Sequence, residues 1–233
     1  MVGDDDDDDD ALKLLFDVSN STSLENSLEI LIHTSKSDSG RSNLSSKTIL
    51  PAVLTILHSQ TLLLNHHVLS LCFKLLRNLC AGEILNQNMF LEFNGVVAVV
   101  SCILRSDVCS DHMLVRWGLQ VLGNVCLAGK IHQRAIWEEL FPLGFLSLVK
   151  LGKKEVSDPL CMMIYTCCDG NPEWFGELYS DSGWSVVVEI VRTASSESNT
   201  CVLGSFPCLN GNHISCNFAD LEASPSCSLI KTS

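Results

Sequence analysis

Leu75-Leu76-Arg77-Asn78-Leu79-Cys80 returns as Val121-Leu122-Gly123-Asn124-Val125-Cys126, 46 positions further along the chain. Gln87 returns as Gln133 at the same offset. Behind each copy a glycine opens an apolar segment, Gly95 before Val96 to Leu104 and Gly144 before Phe145 to Leu151, and Gly183 opens Trp184 to Arg192 in the same manner. Upstream, Ile49 to Ser59 aligns with Val96 to Ser106 at an offset of 47. The chain is therefore an internal repeat, and the length of its period decides the fold.

Within a unit the patterning is helical. In Val68 to Ala81 the polar residues Ser70, Lys74 and Asn78 sit four apart and share one face, while Leu71, Cys72, Leu75, Leu76 and Leu79 wrap around the rest. Met113 to Cys126 repeats the design with Arg116, Gln120 and Asn124 on the stripe. Gly118 and Gly123 lie inside that helix, where each costs about 1 kcal/mol relative to alanine, so both are read as places where a neighbouring helix comes close. A weaker third copy runs from Pro159 to Cys168, is broken at Asn171-Pro172 and resumes from Glu173 to Tyr179, with Thr166 in place of the asparagine. A period of about 40 to 47 residues with helical patterning is the signature of armadillo and HEAT arrays, whose units bury their apolar faces only by stacking on each other. The expected fold is all-α, an armadillo-like α-solenoid with a right-handed superhelix of about three to four repeats over residues 11–192.

Two flanks stand apart. Asp4 to Asp10 make residues 1–10 an acidic, flexible leader, and Ala11 to Val18 has the makings of one short helix behind it. After Arg192 the apolar period stops, and residues 193–233 read as a disordered Ser/Cys-rich tail. The helix ending at Arg192 has no following helix of its own repeat, so its apolar side is expected to be exposed, met by the tail, or used in self-association.

Composition narrows the partners. The formal charge is −12, with seven of the 27 acidic residues in the leader, so the body has no cationic surplus with which to grip nucleic acid. No stretch approaches the about 20 apolar residues of a membrane span, and the amino terminus is acidic where a secretory signal is basic. Membrane insertion is not expected, and a cytoplasmic location is. In that compartment the 12 cysteines read as reduced thiols filling core space, eight of them in or beside apolar helices.

The residues Gly118-Leu119-Gln120-Val121-Leu122-Gly123-Asn124, followed by Gln133, Ile136-Trp137 and Phe141-Pro142, resemble the amino-terminal half of the ataxin-10 family. Arg77-Asn78-Leu79-Cys80 followed by Asn86-Gln87-Asn88 is a second match, and the resemblance covers about residues 65–170. It implies a non-catalytic protein–protein interaction scaffold, linked to cytokinesis or signalling, without cofactors. The family's carboxy-terminal domain has no counterpart in the chain, which gives the expectation of a truncated form.

The candidate site follows from the stripe. Aligned between repeats, Lys74, Asn78, Arg116, Trp117, Gln120 and Asn124 are expected to line a concave surface that receives other proteins or an extended peptide segment. Asn78 and Asn124 have two readings: an asparagine ladder for a peptide backbone, or bonds to neighbouring backbone groups that keep adjacent repeats in register. Tryptophan does not precede them by four residues, as it does in the peptide-binding importin pattern, since Lys74 and Gln120 stand there. Metal chemistry gets little support: Cys167-Cys168 and His66-His67 are adjacent and diverge by about 100° on a helix, and no C-x-x-C occurs. Cys201, Cys208, His213, Cys216 and Cys227 are irregularly spaced. Neither a phosphate loop, G-x-S-x-G nor H-E-x-x-H is present, so neither a zinc protein nor a thiol-based enzyme is favoured.

Overall fold

The computed structural model describes residues 21–47, 49–59, 65–169 and 171–196. The acidic leader, the helix expected over Ala11 to Val18 and the tail beyond Ser196 lie outside the described residues. Thirteen helices and no strand occur among the described ones. They are α1 (Ser21–Thr34), α2 (Asp38–Ser45), α3 (Ile49–His58), α4 (His66–Leu79), α5 (Ile84–Glu92), α6 (Gly95–Ile103), α7 (Ser106–Cys109), α8 (His112–Cys126), α9 (Lys130–Leu140), α10 (Leu143–Val149), α11 (Lys154–Cys168), α12 (Pro172–Leu178) and α13 (Asp181–Ser196).

The architecture is all-α and built from stacked helical units, as the period predicts. The long helices α1, α4, α8 and α11 pack side by side in that order. Behind them the other helices form a second layer, in which α3 meets α6, α6 meets α9, and α10 meets α13, the last of these being the longest helix described. Each unit thus supplies one helix of 14 or 15 residues to the first layer and its following helices to the other. A single apolar core runs the length of the array between the layers, from Leu24 and Leu28 of α1 to Val186 and Ile190 of α13. No unit closes its own core, because adjacent long helices among the described residues pack their buried faces on one another.

Local chemistry starts the two central long helices alike. Asn65 caps α4 by accepting from the amides of His67 and Val68 at 3.0 and 3.2 Å, and Asp111 caps α8 by accepting from Met113 and Leu114 at 3.1 and 3.2 Å. Glycine permits the closest approaches. A Cβ on Gly118 would lie 2.3 Å from Cγ2 of Ile103, so α6 can seat against α8 only while that position lacks a side chain. A Cβ on Gly183 would lie 2.2 Å from the Glu177 carbonyl oxygen, where α13 folds back on α12. Gly123 corrects the sequence reading: nothing lies within 4 Å of its Cβ position, and it faces open space on the exposed side of α8.

The third copy is also longer than its sequence signal. The sequence signal starts at Pro159, yet α11 begins at Lys154 and carries Pro159 inside. The missing amide deprives the carbonyl of Glu155, an exposed residue where water can take over, so the break is tolerated. At the far end α13 continues past Arg192 to Ser196. Its Val186 and Ile190 are buried, whereas Trp184, Val187, Val188 and Val191 are half-buried.

Ile136 and Trp137, two of the residues that carry the family resemblance, lock α9 to its neighbours. Trp137 stacks on Phe141 and Trp174 at 4.9 and 5.7 Å, and its indole nitrogen donates to Glu177 Oε2 at 2.7 Å. Of the eight cysteines among the described residues, Cys72, Cys80, Cys102, Cys126, Cys161 and Cys167 are buried. Burial pushes the thiol of Cys102 up to about 11 and that of Cys161 to about 12, and raises Cys72 and Cys80 as well. Cys167 is raised first by its contact with Cys126, 3.2 Å away, and then by burial.

These features set two expectations for stability. Gly118→Ala should cost about 1–3 kcal/mol by forcing the helices apart, while Gly123→Ala should stabilise by up to about 1 kcal/mol. Equal shifts of the thermal midpoint in the two variants would refute the assigned packing. The buried thiols are held protonated in the fold and ionise in the unfolded chain near pH 8.5. Their contribution is therefore intact below that pH and is lost as the pH rises toward about 11–12. Denaturant midpoints at rising alkaline pH, alongside protection of these thiols from alkylation at neutral pH, check both points.

Candidate functional site

A helix ends with four carbonyls that have no partner in the helix. In this array the short helix after each long one supplies them with side-chain amides. Asn86, buried in α5, donates to the Leu79 carbonyl at 2.8 Å. Gln87 beside it donates to the Cys80 carbonyl and to the Asn124 carbonyl of the next long helix, both at 2.9 Å. Gln133 of α9 repeats the contact on the Cys126 carbonyl at 3.3 Å, and Asn171 donates to the Cys167 carbonyl at 2.7 Å and to Gln133 Oε1 at 3.0 Å. The recurrence of Gln87 as Gln133 is thus a recurrence of one job.

The stripe asparagines work in the same system. Asn78 Nδ2 donates to Ser35 Oγ at 3.1 Å and lies 3.5 Å from the Ile32 carbonyl at the end of α1. Asn124 Nδ2 donates to the Arg77 carbonyl of α4 at 2.7 Å. Each reaches back one repeat to the preceding long helix, which is the geometry of the register reading. Thr166, the residue in their place on α11, donates instead to Met162 of its own helix at 2.8 Å.

The open side of the long-helix layer holds the rest of the stripe. Lys74, Asn78, Arg116, Trp117, Gln120 and Asn124 are all half-buried on the adjacent helices α4 and α8. Trp117 is their centre: Lys74 Nζ stands 5.5 Å and Arg77 Cζ 4.8 Å from its ring centroid. Arg77 is the residue that the sequence reading omitted. Its guanidinium donates to Asn78 Oδ1 at 2.9 and 3.3 Å and to Gln120 Oε1 at 3.4 Å, and so joins the two stripes into one. The signal was available, because Arg77 lies three residues after Lys74 and shares its helix face. Partial burial lowers its pKa without threatening its charge. Among the described residues no carboxylate pairs with Lys74, Arg77 or Arg116.

Beyond Gln120 the face turns apolar. An open depression of about 420 Å³ lies between α8 and α11, bordered by Arg77, Gln120, Asn124, Leu127, Pro159 and Met162. Leu127 is 70 % exposed and Met162 55 % exposed at its rim. Gly123 opens onto it, which accounts for the empty space at that glycine. Among the described residues no group of three or more His, Cys, Asp or Glu side chains is arranged to hold a metal ion. His66 faces Asp107 and Asp111 at 3.6 and 4.0 Å, and His67 faces Glu25 at 3.9 Å, so the two histidines do not converge.

Stacked three-helix units with amide-tied long helices define an armadillo-like helical-repeat protein. Consistent with that class, the crystal structure of an engineered protein superposes with a TM-score of 0.68 over 85 % of this chain and 77 % of that one, at 18 % identity. In sequence the chain is similar to ataxin-10: 29 % identical to the Bos taurus protein over 126 residues, 31 % to the Pongo abelii protein over 100, and 30 % to the Xenopus tropicalis protein over 129. These alignments take in 52 %, 41 % and 53 % of this chain, respectively. The matched stretch spans about a quarter of the length of those relatives. No family model matches the chain.

The amide ties set a ranking of costs. Gln87→Leu strips the donor from two carbonyls and should destabilise by about 1–3 kcal/mol. Gln133→Leu loses one longer bond to a carbonyl and the bond accepted from Asn171, which keeps the Cys167 carbonyl as its partner, and should cost less. Thermal denaturation of the two variants decides the order, and a reversed order would contradict the assignment of Gln87 as a double tie.

Proposed function

We propose that the chain is a non-catalytic scaffold whose open long-helix face binds other proteins. The observation that carries this reading is the gathering of Lys74, Arg77, Arg116, Trp117, Gln120 and the Leu127–Met162 depression on one face of three adjacent helices. Tryptophan and arginine are the side chains most enriched among residues that dominate binding energy at protein interfaces. Here both are held in place by contacts within the fold, which lowers the entropy lost on association. No helix among the described residues is long and apolar enough to cross a membrane. A cytoplasmic adaptor of the ataxin-10 type, acting in cytokinesis or signalling, is the setting that the resemblance supports.

A ladder of asparagines gripping a peptide backbone is the second form of this reading. It is disfavoured physically at Asn78 and Asn124, whose amide donors are already directed to the preceding helix. In the favoured form Trp117, Gln120 and the cations make the contacts, and the asparagines hold the repeats that present them.

Affinity capture from cells with the full chain tests the proposal. Changing Trp117→Ala together with Gln120→Ala should remove the specific partners, while a cooperative thermal transition, at a midpoint lowered by the lost Trp117 packing, shows that the variant is folded. Leu143→Ser, at a position 74 % exposed on α10 in the other layer, should leave them bound. An unchanged partner set after the Trp117 and Gln120 changes would defeat the assignment of this face.

A further inference from the structure

We propose that the open face recognises an extended acidic segment of a partner protein, with an apolar side chain about three residues beyond the acidic ones. This rests on the binding reading above and adds the chemistry of the occupant. Charge complementarity is the main argument. In a chain of formal charge −12, Lys74, Arg77 and Arg116 collect on two neighbouring helices with no carboxylate paired to any of them among the described residues. Two of the three flank Trp117, whose ring holds them at fixed positions on the face. Cations placed this way form a site for negative groups, and the net acidity elsewhere repels those groups from the rest of the surface.

The flanks limit where the acidic residues can lie. Glu25 and Glu29 of α1 occupy the positions that correspond to Ser70 and Lys74 of α4, so a negative segment is repelled on that side. On α11, Asp158 corresponds to Arg116, and Pro159, Met162 and Tyr165 present an uncharged surface. Acidic residues are therefore confined to α4 and α8, and the depression between α8 and α11 takes an apolar group. Packed helices lie about 8–10 Å apart, and an extended chain advances about 3.3 Å per residue. A segment crossing the helices passes from one to the next in about three residues, which gives the spacing.

The test uses the full chain and a fluorescein-labelled synthetic peptide holding a short run of glutamates, two alanines and a leucine, followed by anisotropy. Binding is expected, weakening as salt is raised. Lys74→Glu with Arg116→Glu should lower the affinity by about tenfold or more, and the uncharged change Met162→Ser should lower it without changing the salt dependence. Arg116→Gln alone, a milder change at the surface, should give an intermediate loss, and thermal midpoints close to the parent's would show that the variants are folded. The proposal is overturned if the full chain does not bind the peptide, or if the double charge variant binds it as well as the parent does. It is also overturned if binding appears only after Asp4 to Asp10 are all changed to asparagine, for then the chain's own acidic run is the occupant. Loss of captured partners on changing Trp117 and Gln120, together with failure of the peptide, would remove the acidic chemistry and leave the binding face standing.

Discussion

The carbonyls at the end of a buried helix need donors, and in this array that need is met both within each unit and, through Gln87, Asn78 and Asn124, across unit boundaries. Asn86, Gln87, Gln133 and Asn171 bring amides from the short helices, and Asn78 and Asn124 bring them from the following long helix. Apolar burial supplies most of the stabilisation but is tolerant of sliding, since one leucine row packs nearly as well as the next. Hydrogen bonds to carbonyls are not. A slip of one residue would leave several of these groups buried and unpaired, at about 1–3 kcal/mol each. Register along the array is therefore a matter of polar chemistry laid over a greasy core.

That division explains which parts of the fold were legible beforehand. The spacing of Leu75 to Cys80 and Val121 to Cys126 exposed the repeat, because each copy must present the same face to a neighbour of the same kind. Six of the eight cysteines at the described positions lie in the core, where their neighbours at helical spacing are apolar, while Cys109 and Cys168 are half-buried. Pro159 misled, since a proline inside a helix costs little when the lost acceptor, here Glu155, faces water. Gly123 misled for the opposite reason: glycine in a helix marks a close neighbour in one place and a vacant surface in another, and only packing tells them apart. The paired caps Asn65 and Asp111 lay at the same offset as the rest of the repeat, but asparagine and aspartate are common enough before helices that the equivalence was easy to pass over.

The candidate site was drawn from the helical stripe, which names equivalent positions and not the contacts between them. Six residues on the stripe do share the open face, yet the group that joins them is Arg77, which reads as part of a sequence motif until its contacts are seen. Its guanidinium rests on Trp117 of the next repeat and bonds to Asn78 and Gln120, so one side chain ties surface chemistry to inter-repeat register. Contacts between residues more than 40 positions apart are where periodicity is silent, because a repeat tells which residues are equivalent and not which of them touch.

The long helices are not all stitched alike. Between α1 and α4, and between α4 and α8, the long helices are stitched to each other by an asparagine; between α8 and α11 the corresponding Thr166 turns its hydroxyl inward to its own turn. Dispersion and a pair of touching thiols bridge that last junction instead. The polar stitching is accordingly graded along the array, and the junction that borders the apolar depression is held by close apolar packing in its place. A side chain seated between Leu127 and Met162 would therefore meet apolar packing and no amide stitch, whereas one seated over α4 and α8 would lie against helices that Asn124 ties together.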